Sequence, residues 1–151
     1  MEKKKKKEID TVKAADGPRV NNHVLVVDDE KLMLYSLEFL LVQAELRVTL
    51  LDSAKEALVL LKKQREKFDL LILDLVLAEF SGIELIDALD RLHIPIPIIV
   101  ITGYATPEIE SKLRNSNIIG YLNKPFQYGE LLEMVGKVLD ITKRSKHGKH
   151  D

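Results

Sequence analysis

The sequence predicts an α/β domain built on a parallel sheet with helices on both faces. Short runs rich in Val, Ile and Leu recur at 23–27, 70–73, 98–101 and 118–122. They are too short for helices that span a core, and they read as strands buried on both faces. Segments with helical spacing alternate with them through short loops, as in strand–helix–strand units. Each run also ends at, or just before, residues able to do chemistry: Asp28 and Asp29, Asp74, Thr102, and Lys124 with Pro125. In an open α/β sheet the ligand crevice lies outside the carboxyl ends of the strands, so these side chains are expected to converge on one site.

Taken in order, residues 1–21 carry no sustained apolar periodicity and hold Gly17-Pro18 just before the first run, so they are expected to form a disordered lead-in. The domain then starts near Asn22. After Asp28-Asp29 a helix runs to about Ala44, with Met33, Leu37, Leu40, Leu41 and Ala44 as its core stripe. Residues 47–51 form a further strand. Ser53 with Glu56 is a capping box that opens a helix to about Lys67, and Ser81 with Glu84 repeats the signature for a helix to about Leu92. Pro95 and Pro97 bracket the entry to the fourth strand, where proline is tolerated at a start or an edge. Thr106-Pro107 supplies a hydroxyl cap and a first-turn proline for a shorter helix to about Asn115. The last helix covers about Tyr128 to Ile141. Right-handed crossovers limit the strand orders without fixing one.

A chain of 151 residues suits one domain with a sizeable core. It has no cysteine, which excludes disulfides, thiolate catalysis and thiolate-ligated metals. No segment reaches the roughly 18 apolar residues of a membrane span. The lysine run at 3–7 is not followed by the apolar stretch of a secretory signal. A cytoplasmic protein is expected. The formal net charge of −1 hides a partition: 7 basic and 4 acidic side chains in residues 1–20, 12 and 19 in residues 21–142, and 4 and 1 in residues 143–151. So acidic a core argues against a nucleic-acid-binding face on the folded domain, and the basic charge is confined to the flanks.

Singly, each polar position has a local explanation. Asp28-Asp29 suits a helix N-terminus, Asp74 an Asx-turn, Thr102 a cap, and Lys124-Pro125 a turn. Together they describe a site. Three converging carboxylates repel one another unless a cation neutralises them. An all-oxygen donor set favours Mg²⁺ over Zn²⁺, with Mn²⁺ able to substitute. A lysine and a hydroxyl facing the metal would stabilise phosphoryl oxygens, leaving Asp74 as the nucleophile that becomes an acyl phosphate.

At this point residues 22–142 resemble the receiver domains of two-component response regulators, the CheY-like family. The resemblance rests on Val26-Val27-Asp28-Asp29-Glu30, Leu71-Ile72-Leu73-Asp74-Leu75, Ser81-Gly82, Ile101-Thr102-Gly103-Tyr104, and Gly120-Tyr121-Leu122-Asn123-Lys124-Pro125-Phe126, in this order and spacing. It implies a doubly wound, flavodoxin-like sheet of five parallel strands in order 2-1-3-4-5. It makes Asp74 the phosphoacceptor, with Asp29 and Asp74 as direct Mg²⁺ ligands, Asp28 a ligand through water, and the Val76 carbonyl a further ligand. Lys124 would bind one phosphoryl oxygen and Thr102 another, and movement of Thr102 would let Tyr121 change rotamer and alter the face of the fourth helix, fifth strand and fifth helix. Gly103 would give that loop room, and Val76 and Tyr104 would flank the path of hydrolytic water and slow dephosphorylation.

The implied partners are a histidine kinase or histidine phosphotransfer protein, docking at the second apolar stripe of the first helix, Leu32, Tyr35 and Phe39, and a downstream protein whose identity the sequence does not give. An alternative for that stripe is packing on the fifth helix. Monomer and homodimer both remain open. With only a basic tail at 143–151 after the domain, a single-domain regulator is expected, performing no catalysis beyond its own phosphorylation and slow dephosphorylation. A haloacid-dehalogenase-like phosphatase is disfavoured because Val76 stands where that family needs a second Asp. A receiver-like scaffold that works without phosphorylation is the other alternative. The family pattern is broken at Ala78, where proline is usual, and at Gln127, a weaker cap than Asp. With Gly136 inside the last helix, that helix is expected to be soft.

Overall fold

The computed structural model describes residues 7–9, 22–77, 80–103, 105–113 and 117–139. Its sheet has six strands: β1 (Lys7–Ile9), β2 (His23–Val27), β3 (Arg47–Leu51), β4 (Leu70–Asp74), β5 (Ile98–Thr102) and β6 (Ile118–Asn123). They lie in the order β1-β3-β2-β4-β5-β6. The strands β3-β2-β4-β5-β6 are mutually parallel and reproduce the expected 2-1-3-4-5 order.

The departure is at the edge. Within the stretch expected to be disordered, Lys7–Ile9 pairs antiparallel with β3, matching Lys7 with Leu50 and Ile9 with Val48. Three residues reading Lys-Glu-Ile carry no periodic signal, and the open backbone groups of β3 supply the reason for the strand. The basic C-terminal tail lies outside the described residues.

Five helices complete the domain: α1 (Lys31–Gln43), α2 (Ala54–Gln64), α3 (Gly82–Arg91), α4 (Pro107–Lys112) and α5 (Tyr128–Val135). Alternate strand residues face opposite cores. Val24 and Val26 join Leu34, Leu37, Leu40 and Leu41 of α1 and Leu131 and Val135 of α5. Leu25 and Val27 join Ala57 and Leu61 of α2, Leu85 and Leu89 of α3, and Leu113 beyond α4. Coverage on both faces explains why β2, β4 and β5 each carry four consecutive aliphatic residues. In α1 the core position expected for Met33 is taken by the buried Leu34, and Met33 is only partly buried against the cluster.

The predicted caps form where the sequence places them. Ser53, Ser81 and Thr106 accept backbone N–H bonds from Glu56, Glu84 and Ile109, each at 3.2 Å. At α5, where the weaker cap was expected, the Glu130 carboxylate accepts from the Gln127 N–H at 3.1 Å. Two helices end sooner than their apolar spacing suggests. α2 tightens into a 3₁₀ turn at Arg65–Lys67. α5 stops at Gly136, beyond which the Val138 and Leu139 N–H groups both donate to the Val135 carbonyl. Asn115 and Ile141, the expected ends of α4 and α5, lie outside the described residues. No helix among the described residues is long and apolar enough to cross a membrane.

Candidate functional site

Parallel pairing in register delivers four strand ends to one edge of the sheet. Asp28 follows β2, Asp74 closes β4, Thr102 closes β5 and Lys124 follows β6. Asp28 and Asp74 are buried at 2% and 5% exposure, whereas Asp29 is exposed. Carboxylate oxygens of the three acids lie within 4.8 Å of one another.

The Lys124 ammonium is central to this group. Its Nζ lies 3.0 Å from Asp74 Oδ2, 3.4 Å from Asp28 Oδ2 and 3.3 Å from Glu30 Oε1. The other oxygens of the two buried acids bond to backbone: Asp28 Oδ1 accepts from the Glu30 N–H at 2.9 Å, and Asp74 Oδ1 from the Val76 N–H at 3.1 Å. These bonds fix both carboxylate planes.

Burial pushes the Asp28 carboxyl up to about 6, and the neighbouring Asp74 charge adds to the shift. The Glu30 N–H and Lys124 pull the other way without cancelling it. For Lys124, burial by itself would lower the pKa. The Asp74 hydrogen bond and the charges of Asp28 and Asp74 outweigh that and raise it, so the side chain stays an ammonium. With every group ionised, three carboxylates and one ammonium leave a formal −2. The donor set is entirely oxygen and strongly anionic, which suits a hard divalent cation. Asp28, Asp29 and Asp74 would hold such an ion, and its charge would relieve their mutual repulsion.

The remaining expected residues fall around this centre. Thr102 is 1% exposed, next to the Ile101 that pairs with Asp74, and its carbonyl accepts the Lys124 N–H at 2.9 Å. Gly103 is exposed, and a Cβ there would meet nothing within 4 Å. Tyr121 is half-buried on β6 and lines a cleft of about 400 Å³ with Pro107, Glu110, Ser111, Leu113 and Ile118. Burial first, and then the Glu110 charge, raise its phenol pKa. Pro125 is exposed and joined to Lys124 by a cis peptide bond. Val76 is 69% exposed beside Asp74. Tyr104 and Ala78 lie outside the described residues. Leu32, Tyr35 and Phe39 stand out from α1 at 77%, 48% and 65% exposure among the described residues.

Two residues matter in ways the sequence did not signal. Glu30 gives Lys124 a third carboxylate, which only the turn formed by Asp28 brings within reach. Gly82 opens α3 against the chain that carries Asp74: its N–H donates to the Leu75 carbonyl at 3.0 Å, and a Cβ would stand 2.5 Å from the Asp74 carbonyl oxygen. The cue was the Ser-Gly pair at the capping box, but glycine at a helix start has many uses.

Residues 24–136 match the model of the response regulator receiver domain. A two-component response regulator of Arabidopsis thaliana, ARR12, is 33% identical over 120 residues, or 80% of this chain. The chain spans about a fifth of that relative's length, 20%. Among solved structures, a receiver domain protein described as CheY-like from Methanospirillum hungatei JF-1 is 27% identical with a TM-score of 0.70, covering 83% of this chain and 98% of its own. The chemotaxis protein CheY4 of Vibrio cholerae is 28% identical with a TM-score of 0.69, covering 78% and 98%.

Proposed function

The chain belongs to the response regulator receiver domain family, and on that premise we propose that it is a switch thrown by phosphorylation of Asp74. The observation that carries this reading is the Lys124 ammonium held between the buried Asp74 and Asp28 at the mouth of an all-oxygen cluster. An Asp74 oxygen attacks the phosphorus of a phosphohistidine on a histidine kinase or histidine phosphotransfer protein. The P–N bond breaks, its electron pair and a proton end on the imidazole, and Asp74 becomes an acyl phosphate.

The protein's own groups prepare the step by orientation. Lys124 and the Val76 N–H hold the Asp74 carboxylate from both oxygens, and Lys124 then stabilises charge on the transferred group. Thr102 donates its hydroxyl to a second phosphoryl oxygen. Asp29, Asp74 and the Val76 carbonyl would hold Mg²⁺ or Mn²⁺ directly, and Asp28 through water. A bound divalent cation would neutralise the carboxylates and draw a phosphoryl oxygen to the site.

The output follows from connection. Lys124 and Thr102 are tied through backbone, so a displacement of Thr102 reaches the end of β6 and the Tyr121 cleft against α4. A downstream protein that prefers the switched α4–β6–α5 face shifts the equilibrium towards it. Leu32, Tyr35 and Phe39 offer the phosphodonor an apolar face beside the acid site. The setting is cytoplasmic two-component signalling.

Intact-protein mass after incubation with Mg²⁺ and acetyl phosphate, with Asp74→Asn alongside, tests the chemistry. One phosphoryl group gained by the wild type alone is the expected result. No gain in either protein would return the reading to a scaffold that works without phosphate.

A further inference from the structure

The Lys124 ammonium carries three N–H protons, and the three carboxylates that receive them are not equivalent. Its Nζ lies 3.0 Å from Asp74 Oδ2, 3.4 Å from Asp28 Oδ2 and 3.3 Å from Glu30 Oε1. Asp28 and Asp74 are buried and the Lys124 side chain is only 21% exposed, whereas that of Glu30 is 60% exposed. Withdrawing Asp28 from the ammonium would strand a buried charge, and Asp74 is the group to be phosphorylated. Of the three, Glu30 is the acceptor that can let go of the ammonium and return to water.

The backbone around Glu30 is fixed while its side chain stays free to swing. Glu30 is the N-cap residue of α1, with φ −96° and ψ 111° and no side-chain capping bond. Its N–H donates to Asp28 Oδ1 at 2.9 Å, and its carbonyl accepts from Met33 and Leu34 at 3.0 and 3.1 Å. The carboxylate therefore serves none of the first-turn donors of α1. It reaches instead to a lysine 94 residues away in sequence, at the far side of the acid site. A carboxylate at a helix start is favoured by the helix dipole wherever it points, so the dipole explains the charge and not its contact with Lys124.

A phosphoryl group arriving at Asp74 brings anionic oxygens that need an N–H of Lys124. Glu30 Oε1 is an anionic oxygen already on that ammonium. We propose that Glu30 is a positioning residue that keeps the place of a phosphoryl oxygen on Lys124: it steadies the ammonium beside Asp74 before transfer and must yield when the phosphoryl group arrives. The inference rests on the proposed receiver chemistry and adds to it a brake on phosphoryl uptake. Exposed ion pairs are weak, so the exchange is worth about two- to fivefold and not orders of magnitude.

Affinity for beryllium trifluoride, a phosphoryl mimic that bonds to a carboxylate oxygen, reads the exchange without turnover. The titration is followed by the amide resonances of Thr102 and Lys124 at saturating Mg²⁺, in the full chain and in Glu30→Ala and Glu30→Asp. The first variant removes the carboxylate, and the second keeps the charge but falls one methylene short of the 3.3 Å contact. Both are expected to bind the mimic about two- to fivefold more tightly than the wild type, the opposite of what loss of a merely structural contact does. The initial rate of phosphoryl uptake from acetyl phosphate, in which an Asp74 oxygen bonds to phosphorus and acetate leaves with the electron pair of the broken P–O bond, should rise with it. Unchanged or weaker binding in the variants overturns the proposal and leaves the receiver reading intact. Tighter binding by Glu30→Ala alone assigns the effect to charge and overturns the contact as its cause. Absence of mimic binding in all three proteins, with no phosphoryl gain by the wild type, overturns the receiver reading as well.

Discussion

Replacing Gly82 with alanine should destabilise this protein by about 1–2 kcal/mol, the reverse of what alanine does at an open helix position. A Cβ at Gly82 would stand 2.5 Å from the Asp74 carbonyl oxygen and 2.7 Å from the Leu75 Cα, both backbone atoms. Such contacts essentially never fall under 3.0 Å, so the chain carrying Asp74 has to retreat by at least 0.5 Å, the difference between 3.0 and 2.5 Å. Overpacking of this kind costs about 1–3 kcal/mol, against a propensity gain of at most about 1 kcal/mol. Gly129 in the first turn of α5 is the internal reference. A Cβ there meets nothing within 4 Å, so Gly129→Ala should stabilise by up to about 1 kcal/mol. Urea unfolding followed by circular dichroism measures both changes. Intact mass with acetyl phosphate should show slower phosphoryl uptake by Gly82→Ala, because Asp74 has moved relative to Lys124. Two alanine variants stabilised alike would refute the reasoning.

Asp28, with a carboxyl at about 6 in the fold against 3.8 for the free side chain, holds its proton more tightly when folded. Its contribution is fully present below pH 3.8 and is lost as pH rises through about 6, amounting to about 3 kcal/mol in the metal-free protein. Urea midpoints at pH 4 and pH 7 should therefore separate wild type from Asp28→Asn by that slope, and saturating Mg²⁺ should flatten it; parallel pH profiles would contradict the assignment. Lys124→Ala removes the shared partner of Asp28 and Asp74 and should cost about 1–3 kcal/mol at pH 7, with an unchanged unfolding midpoint as the contrary result. Glu45 and His93 sit at φ 65° and 57° in turns where Leu46 donates to Leu41 and Ile94 to Leu89, closing α1 and α3. Glycine at either place should raise stability by about 1 kcal/mol, and a lowered thermal midpoint would show that the native side chain makes a compensating contact.

Much of the fold was legible because burial on both faces writes itself into composition. Strands β2, β4 and β5 are each aliphatic at four consecutive positions, and the helices opening at Ser53, Ser81 and Thr106 announce themselves through side chains that satisfy their own first-turn donors. The candidate site was legible for a related reason: strand ends in a parallel sheet share an edge, so a polar residue after each run projects to one place.

What stayed hidden depends on partners distant in sequence. β1 exists through Val48, Thr49 and Leu50, and nothing in Lys-Glu-Ile announces them. Leu34 displaced Met33 in the core because both fit a helical stripe and only packing against the sheet chooses between them. Gly82 was visible as a letter, but its reason is the Asp74 carbonyl eight residues earlier. Glu45 and His93 adopt left-handed backbone without the glycine that would have signalled it.

The same β1 bears on how this protein behaves at high concentration. β3 would otherwise present a row of backbone donors and acceptors to any neighbouring chain, and such an open edge is a template for aggregation. Lys7–Ile9 closes it with a short segment carrying two charged residues. Trimming the chain at the start of the compact domain, a natural choice for anyone guided by the aliphatic runs alone, would uncover that edge. The shortened protein would keep its helices and its acid site and lose solubility.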